Sequence, residues 1–162
     1  MERAQRIGVK GRITFEEFEH LADGRHRLVK RWEAKNLITT VGLAWLAGAL
    51  SGDTASPNTM KYIAIGTDND PVPATGQTAL NAEVETRATG TISRVTTTLA
   101  NDTFRAVGTI TMGSSRTLIE AGLFDQAALG GNMGSRSIFS AETVGSGNDL
   151  QITYEWQFED AS

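Results

Sequence analysis

Turn-forming residues interrupt this chain so often that most of the runs between them are long enough only for strands. Asp23-Gly24, Asn101-Asp102 and the Gly-rich stretch at 130–134 separate runs of about 8–15 residues in which apolar and polar side chains alternate. This spacing favours an all-β sandwich or barrel over alternating βαβ units. We predict an all-β fold, a jelly-roll-like β-sandwich of about eight antiparallel strands with one short helix, forming a single domain over residues 1–162.

Composition supports one globular domain and excludes several kinds of site. The chain has 162 residues, 40% of them hydrophobic and 21% charged, which is enough for a substantial core. It has no cysteine, so disulfides, thiolate nucleophiles and Cys-ligated metals are excluded. No apolar run reaches the roughly 18 residues that a membrane span needs, and we expect no membrane contact.

Charge is distributed unevenly. Residues 1–35 carry nine basic and six acidic side chains, a net of +3, whereas residues 36–162 carry a net of −7, giving −4 in all. This basic N-terminal arm and hairpin on an acidic body suggests an acidic protein partner. A solvated hairpin with paired charges is the alternative.

Residues 11–34, GRITFEEFEHLADGRHRLVKRWEA, are predicted to form a β-hairpin that turns at Asp23-Gly24. Pairing Ala22 with Arg25 sets the register. That register places Ile13 opposite Ala34, Phe15 opposite Trp32, Glu16 opposite Arg31, Glu17 opposite Lys30 and Phe18 opposite Val29. It leaves Arg25 and Arg27 without an opposing carboxylate, so we predict that both arginines bind a partner.

His20 and His26 lie close together in the sequence and are candidate metal ligands by residue type. In the predicted register His20 opposes Arg27 and His26 opposes Leu21, so the imidazoles leave opposite faces of the hairpin. We therefore predict solvated histidines and no metal site.

Residues 66–82 form a long polar loop after a short apolar strand at 62–65, and loops of this length are usually functional or mobile. Asp68, Asn69 and Asp70 resemble calcium ligands, but Pro71 interrupts the alternating pattern that a calcium loop needs. An Asx-type turn is the favoured interpretation. We predict that these three residues contact a partner.

Residues 36–52, NLITTVGLAWLAGALSG, contain the best helix candidate, with Asn36, Thr39 or Thr40 as N-cap and Gly52 as the end. An apolar stripe at helical spacing is expected to pack against the sheet; it consists of Leu43, Leu46, Ala47 and Leu50. Residues 78–84 are expected to add one helical turn. The predicted core is Phe15, Trp32, Leu43, Leu46, Ile63, Ile65, Leu123, Phe124, Ile152 and Trp156.

Motifs of catalysis are missing from the sequence. No nucleophile elbow and no Walker or Rossmann phosphate loop occurs, and the carboxylate pairs Glu83/Glu85 and Glu155/Glu159 are common on strand surfaces. The acidic body argues against nucleic-acid binding. We predict a protein that is not an enzyme, with no catalytic residue, cofactor or metal.

The order of several segments resembles small virion structural proteins of tailed bacteriophages. These segments are NLITTVGLAWLAGALSG, KYIAIGTDNDPVPATGQTALNAEVETR, TLIEAGLFD, GGNMGSRSIFS and DLQITYEWQF. GTDND departs from the plainer GTG of that family, which suggests a specialised loop tip. The resemblance implies a virion location, after assembly in the host cytoplasm, and loop 66–82 packed on a neighbouring copy.

Within that family the resemblance leaves more than one role open. The first is a head decoration (cement) protein, a homo-oligomer such as a trimer bound to the major capsid protein. The second is a collar or tail component, such as a fibre module or an adaptor. A host-carbohydrate-binding module is a third possibility.

Overall fold

A computed structural model describes residues 6–52, 59–68, 70 and 72–160 of this chain. The elements are β1 (Ile7–His20), β2 (His26–Ile38), α1 (Thr40–Ser51), β3 (Tyr62–Gly66), β4 (Glu83–Thr89), β5 (Thr91–Val95), β6 (Thr103–Thr111), β7 (Arg116–Phe124), β8 (Met133–Val144) and β9 (Asp149–Asp160). The prediction of an all-β fold with one short helix is confirmed, with nine strands in the described ranges. The 12-residue helix α1 is too short to span a membrane, and the described ranges contain no longer helix.

The strands form one antiparallel sheet in the order β4-β3-β7-β8-β2-β1-β9-β6-β5. Strand β2 joins its two halves, because residues 26–36 pair with β1 whereas Leu37 and Ile38 pair with β8. The edge strands β4 and β5 are separated in the chain by Gly90 alone, so the sheet nearly closes on itself. The sandwich, jelly-roll-like arrangement within this class stays a prediction.

The core lies between the two halves of the sheet and takes alternate residues from β1 and β9 on one side and β3 and β7 on the other. Its fully buried members include Ile13, Phe15, Ile63, Ile65, Leu118, Leu123, Ile152, Tyr154 and Trp156. Burial of Phe124 is also confirmed, whereas Trp32 and Leu46 are only partly buried. Leu43, a predicted core residue, is 49% exposed.

The hairpin register is confirmed from Ile13–Ala34 to Glu17–Lys30 and is wrong beyond it. A β-bulge follows Glu17, so Phe18 opposes Leu28 and Val29 becomes the extra residue. The connecting loop is residues 21–25 rather than a two-residue turn. Its backbone closes by hydrogen bonds between Leu21 and both Arg25 and Gly24.

Helix α1 begins and ends close to the predicted residues. Of the three candidates Thr39 is the N-cap: its hydroxyl accepts a hydrogen bond from the Gly42 N–H at 3.0 Å and donates one to the Met133 carbonyl. Gly52 ends the helix in the left-handed conformation, with φ of 69°. The predicted helical turn at 78–84 is wrong, because β4 begins at Glu83 and the residues before it are irregular.

Asp102 shapes the loop between β5 and β6. Its carboxylate accepts backbone hydrogen bonds from Leu99, Thr98 and Thr97, and these bonds, led by that of Leu99, hold the pKa of Asp102 well below its usual range. Strand β5 therefore stops at Val95.

Candidate functional site

The arginines predicted to bind a partner are already paired within the chain. The Arg25 guanidinium lies 2.7 Å from Asp23, and that of Arg27 lies 2.5 Å from Glu19. The expectation that they lack a carboxylate is wrong, because the bulge brings Glu19 opposite Arg27. Hydrogen bonds that Arg25 donates to the Asp23 carboxylate lower the pKa of Asp23, and the side-chain bond contributes more than the backbone bond.

The hairpin is still a candidate docking element despite these pairs. The Arg25 and Arg27 side chains are 78% and 69% exposed, and exposed ion pairs contribute only about 0–1 kcal/mol. An acidic partner could therefore replace the internal carboxylates at little cost. The docking role of the two arginines stays a prediction.

The acidic segment of the long loop forms the predicted Asx turn. Asp68 Oδ1 accepts a hydrogen bond from the Asp70 N–H at 3.0 Å, and Oδ2 accepts one from the Asn81 side-chain amide at 2.6 Å. Asp68 thus closes the base of the loop. Asp70 is exposed, and Asn69 lies outside the described residues.

A buried ion pair ties the second half of this loop to the sheet. Arg136 of β8 and Glu120 of β7 have 1% and 0% of their side chains exposed, and their charged atoms are 2.7 Å apart. Glu120 also accepts hydrogen bonds from the Asn81 and Ala82 N–H groups, and Arg136 donates one to the Gln77 side chain at 2.9 Å. The sequence signal is the lone carboxylate within the apolar run TLIEAGLF, residues 117–124.

Helix α1 presents an apolar face that the described residues leave uncovered. Leu43 and Leu50 are 49% and 90% exposed, and Ala47 between them is also exposed. Their i, i+4, i+7 spacing places the three side chains on one side of the helix. We call them the α1 outer face. No residue of α1 is charged.

Close contact between two glycines determines which side of α1 packs inward. A Cβ atom at Gly42 would lie 2.1 Å from the Gly134 carbonyl oxygen, so only glycine allows the helix this near to β8. Trp45 and Leu46 consequently pack on the core. The predicted buried stripe is therefore wrong for Leu43, Ala47 and Leu50.

Loop 66–82 reaches the start of this helix. The Thr40 N–H donates a hydrogen bond to the Thr75 carbonyl at 2.7 Å. The anchored loop and α1 are thus neighbouring parts of one surface, where Val72 is also 78% exposed.

The structure brings together the two histidines that the predicted register separated. With the bulge in place His20 lies directly opposite His26, and their ring centroids are 4.2 Å apart. Asp149 of β9 joins them, with Oδ2 at 2.9 Å from His20 Nε2. One potential ligand atom from each residue falls within 4.8 Å of the others.

Carboxylates of the Glu83/Glu85 and Glu155/Glu159 pairs form ion pairs with basic side chains. Glu83 binds Arg87 at 2.7 Å, Glu159 binds Lys10 at 2.6 Å, and Glu155 binds both Arg12 and Arg105. Burial would raise the pKa of Glu155, but hydrogen bonds from the two arginines outweigh it and the pKa is lowered. A carboxylate held ionised in this way is poorly suited to donate a proton.

Glu155 also lines a cleft of about 480 Å³ on the outside of the sheet, together with Lys10, Arg12, Glu33 and Lys35.

No protein-family model, curated protein or solved structure matches this chain.

Proposed function

We propose that this chain is a non-enzymatic structural protein of a tailed-bacteriophage virion, in which it acts as a head decoration (cement) protein and assembles with further copies of itself. The observation that carries the proposal is the α1 outer face. Apolar surface costs about 25 cal/mol per Å² while water covers it, and contiguous exposed apolar surface is typical of protein–protein contacts. The sequence resemblance supplies the kind of particle.

A second copy of the chain is the partner that fits this face. Each copy carries a net charge of −4, so two copies repel each other through most of their surface. Residues 36–52 contain no charged side chain, so copies can meet there without that repulsion. Leu43 and Leu50 flank the small Ala47, which leaves room for a leucine of a facing helix between them.

The buried ion pair supports the same role. Glu120 and Arg136 fix Gln77, Asn81 and Ala82 to the sheet, and this holds part of the 66–82 loop beside α1 before any partner arrives. A surface that is ordered in advance loses less conformational entropy on association. The proposal therefore includes loop 66–82 in the contact between copies.

The sugar-binding alternative has little support in the part of the chain that the structure describes. Carbohydrate modules of this kind present exposed aromatic rings, but Trp156 is fully buried and Trp32 and Trp45 are partly buried. A collar or tail component differs from a head protein mainly in copy number, and that difference can be measured.

The test is the location and number of copies in purified particles. We expect roughly hundreds of copies on the head surface by cryo-electron microscopy and quantitative mass spectrometry, as a lattice protein requires. About a dozen copies or fewer at the tail would replace the decoration role with the collar or tail role. Absence of the chain from intact particles would contradict the whole proposal.

A further inference from the structure

We propose that His20, His26 and Asp149 form a binding site for a divalent transition-metal ion of the zinc type at the hairpin end of the sheet. The site lies at the start of β2, whereas α1 follows the end of that strand, and the proposal does not depend on the role in a virion. It rests on three side chains that converge from three strands.

The bulge after Glu17 creates the site. It shifts the hairpin by one residue, so that His20 and His26 are cross-strand partners and leave the same face. On the other side of β1, strand β9 begins at Asp149, whose carboxylate is 2.9 Å from His20 Nε2. Without the bulge the imidazoles would point to opposite faces.

The distances suit a single ion after small side-chain movements. Ligand atoms bound to one tetrahedral zinc at about 2.0–2.2 Å stand roughly 3.3–3.6 Å apart. The three ligand atoms lie within 4.8 Å of one another, and His20 is 48% exposed, so its ring can rotate without disturbing the core. Water would complete the coordination on the open side.

The ligand chemistry selects the class of metal. Imidazole nitrogen suits Zn²⁺, Ni²⁺ and Cu²⁺, whereas Mg²⁺ and Ca²⁺ prefer sites made of oxygen alone. The second oxygen of Asp149, Oδ1, accepts a hydrogen bond from the Thr111 hydroxyl at 2.6 Å. Such an outer hydrogen bond holds a ligating carboxylate in position.

The nearby charges do not oppose a cation at this place. Glu19 and Arg27 occupy the next cross-strand pair, which faces the other side of the hairpin, and they neutralise each other at 2.5 Å. Asp149 therefore provides the negative charge of the His20, His26 and Asp149 cluster. A bound ion would connect β1, β2 and β9 and so fasten the hairpin end to the sheet.

The test is a calorimetric titration of the chelator-treated full chain with zinc chloride near neutral pH. We expect one zinc ion per chain, with affinity at least about tenfold lower in His26→Ala and in Asp149→Asn, and roughly tenfold lower in Thr111→Val. Asp23→Asn is the matched control, since it removes a carboxylate from the same end outside the cluster, and it should bind like the wild type. Magnesium chloride should give no binding.

Proton competition provides a second readout. Metal binding requires neutral imidazoles, so zinc affinity should fall when the titration is repeated about two pH units lower. Circular dichroism of each metal-free variant checks that it is folded. No zinc binding by the wild type, or undiminished binding by folded His26→Ala and Asp149→Asn, would overturn the proposal.

Discussion

The β1–β2 hairpin and helix α1 both differ from what their compositions predict: the basic residues at the hairpin tip are paired, and apolar residues of the helix are exposed. The hairpin carries a cluster of basic residues, yet Arg25 and Arg27 at its tip both pair with carboxylates of the same hairpin. Helix α1 carries no charge and was expected in the core, yet Leu43 and Leu50 are exposed.

One local feature in each region produces this difference. In the hairpin an extra residue, Val29, shifts the register and brings Glu19 to Arg27. In the helix Gly42 allows close contact with Gly134 and thereby turns Leu43 and Leu50 outward. Composition indicates which side chains are able to bind, whereas register and helix rotation determine which of them are free to do so.

The largest effect is expected where a charge pair is buried rather than exposed. Arg136→Met leaves the Glu120 carboxylate buried without its ion-pair partner, so the free energy of unfolding should fall by about 3–5 kcal/mol. Arg27→Met, which breaks an exposed hairpin pair, should cost less than about 1 kcal/mol. Urea unfolding measures both, and equal losses would mean that the buried pair does not anchor the 66–82 loop.

The next effect tests the orientation of α1. Gly42→Ala should destabilise the protein by about 1–3 kcal/mol, because the new Cβ would collide with the Gly134 backbone. The same change at an exposed helix position stabilises by about 1 kcal/mol, so the sign is diagnostic. Ala44→Met, on an exposed side of the helix, is the control and should stay within about 0.5 kcal/mol. A stabilising Gly42→Ala would contradict the orientation.

A smaller effect should depend on pH, because Glu155 is held ionised beside the hairpin by Arg12 and Arg105. Its lowered pKa means that its contribution to stability is present above the ordinary carboxyl value of about 4.3 and is lost as the pH falls below it. Glu155→Gln should therefore cost about 1–2 kcal/mol at neutral pH, and the deficit should shrink on acidification. Thermal melts of both proteins from neutral to acidic pH check this; a deficit that does not change with pH would contradict it.

The smallest effect on stability is expected at the tip of the hairpin. Arg25→Glu combined with Arg27→Glu exchanges attraction for repulsion in exposed pairs only, so the melting temperature should change little. Incorporation into particles at several salt concentrations then tests the docking hypothesis. Incorporation equal to that of the wild type at every salt concentration would remove the hairpin as a docking element.

The sequence predicted the features that depend on local patterns. Cross-strand pairing gave the hairpin register from Ile13 to Glu17, helix signals located α1 between Thr39 and Gly52, and composition indicated the Asp68 turn. The features it missed depend on contacts between distant segments. The approach of Gly42 to Gly134 and the pairing of Glu120 with Arg136 have no signature in a single local window.

The candidate metal site also depends on contacts that the local sequence does not reveal. His20 and His26 were recognised as possible ligands, but a prediction of their geometry required the register after the bulge. Asp149 lies 123 residues beyond His26 in the chain, so no spacing rule for metal ligands connects the three. The sequence therefore identified the two histidines as possible ligands but predicted the wrong directions for their side chains.

The most direct test of the α1 outer face as the contact between copies is sedimentation equilibrium over a range of protein concentrations. We expect the wild type to self-associate and Leu43→Glu with Leu50→Glu to be monomeric, because a charge buried without a partner opposes association. The control, Leu99→Glu with Leu129→Glu, changes two exposed leucines outside α1 and should associate like the wild type. A wild type that stays monomeric throughout, or an α1 variant that associates as strongly as the wild type, would contradict the account.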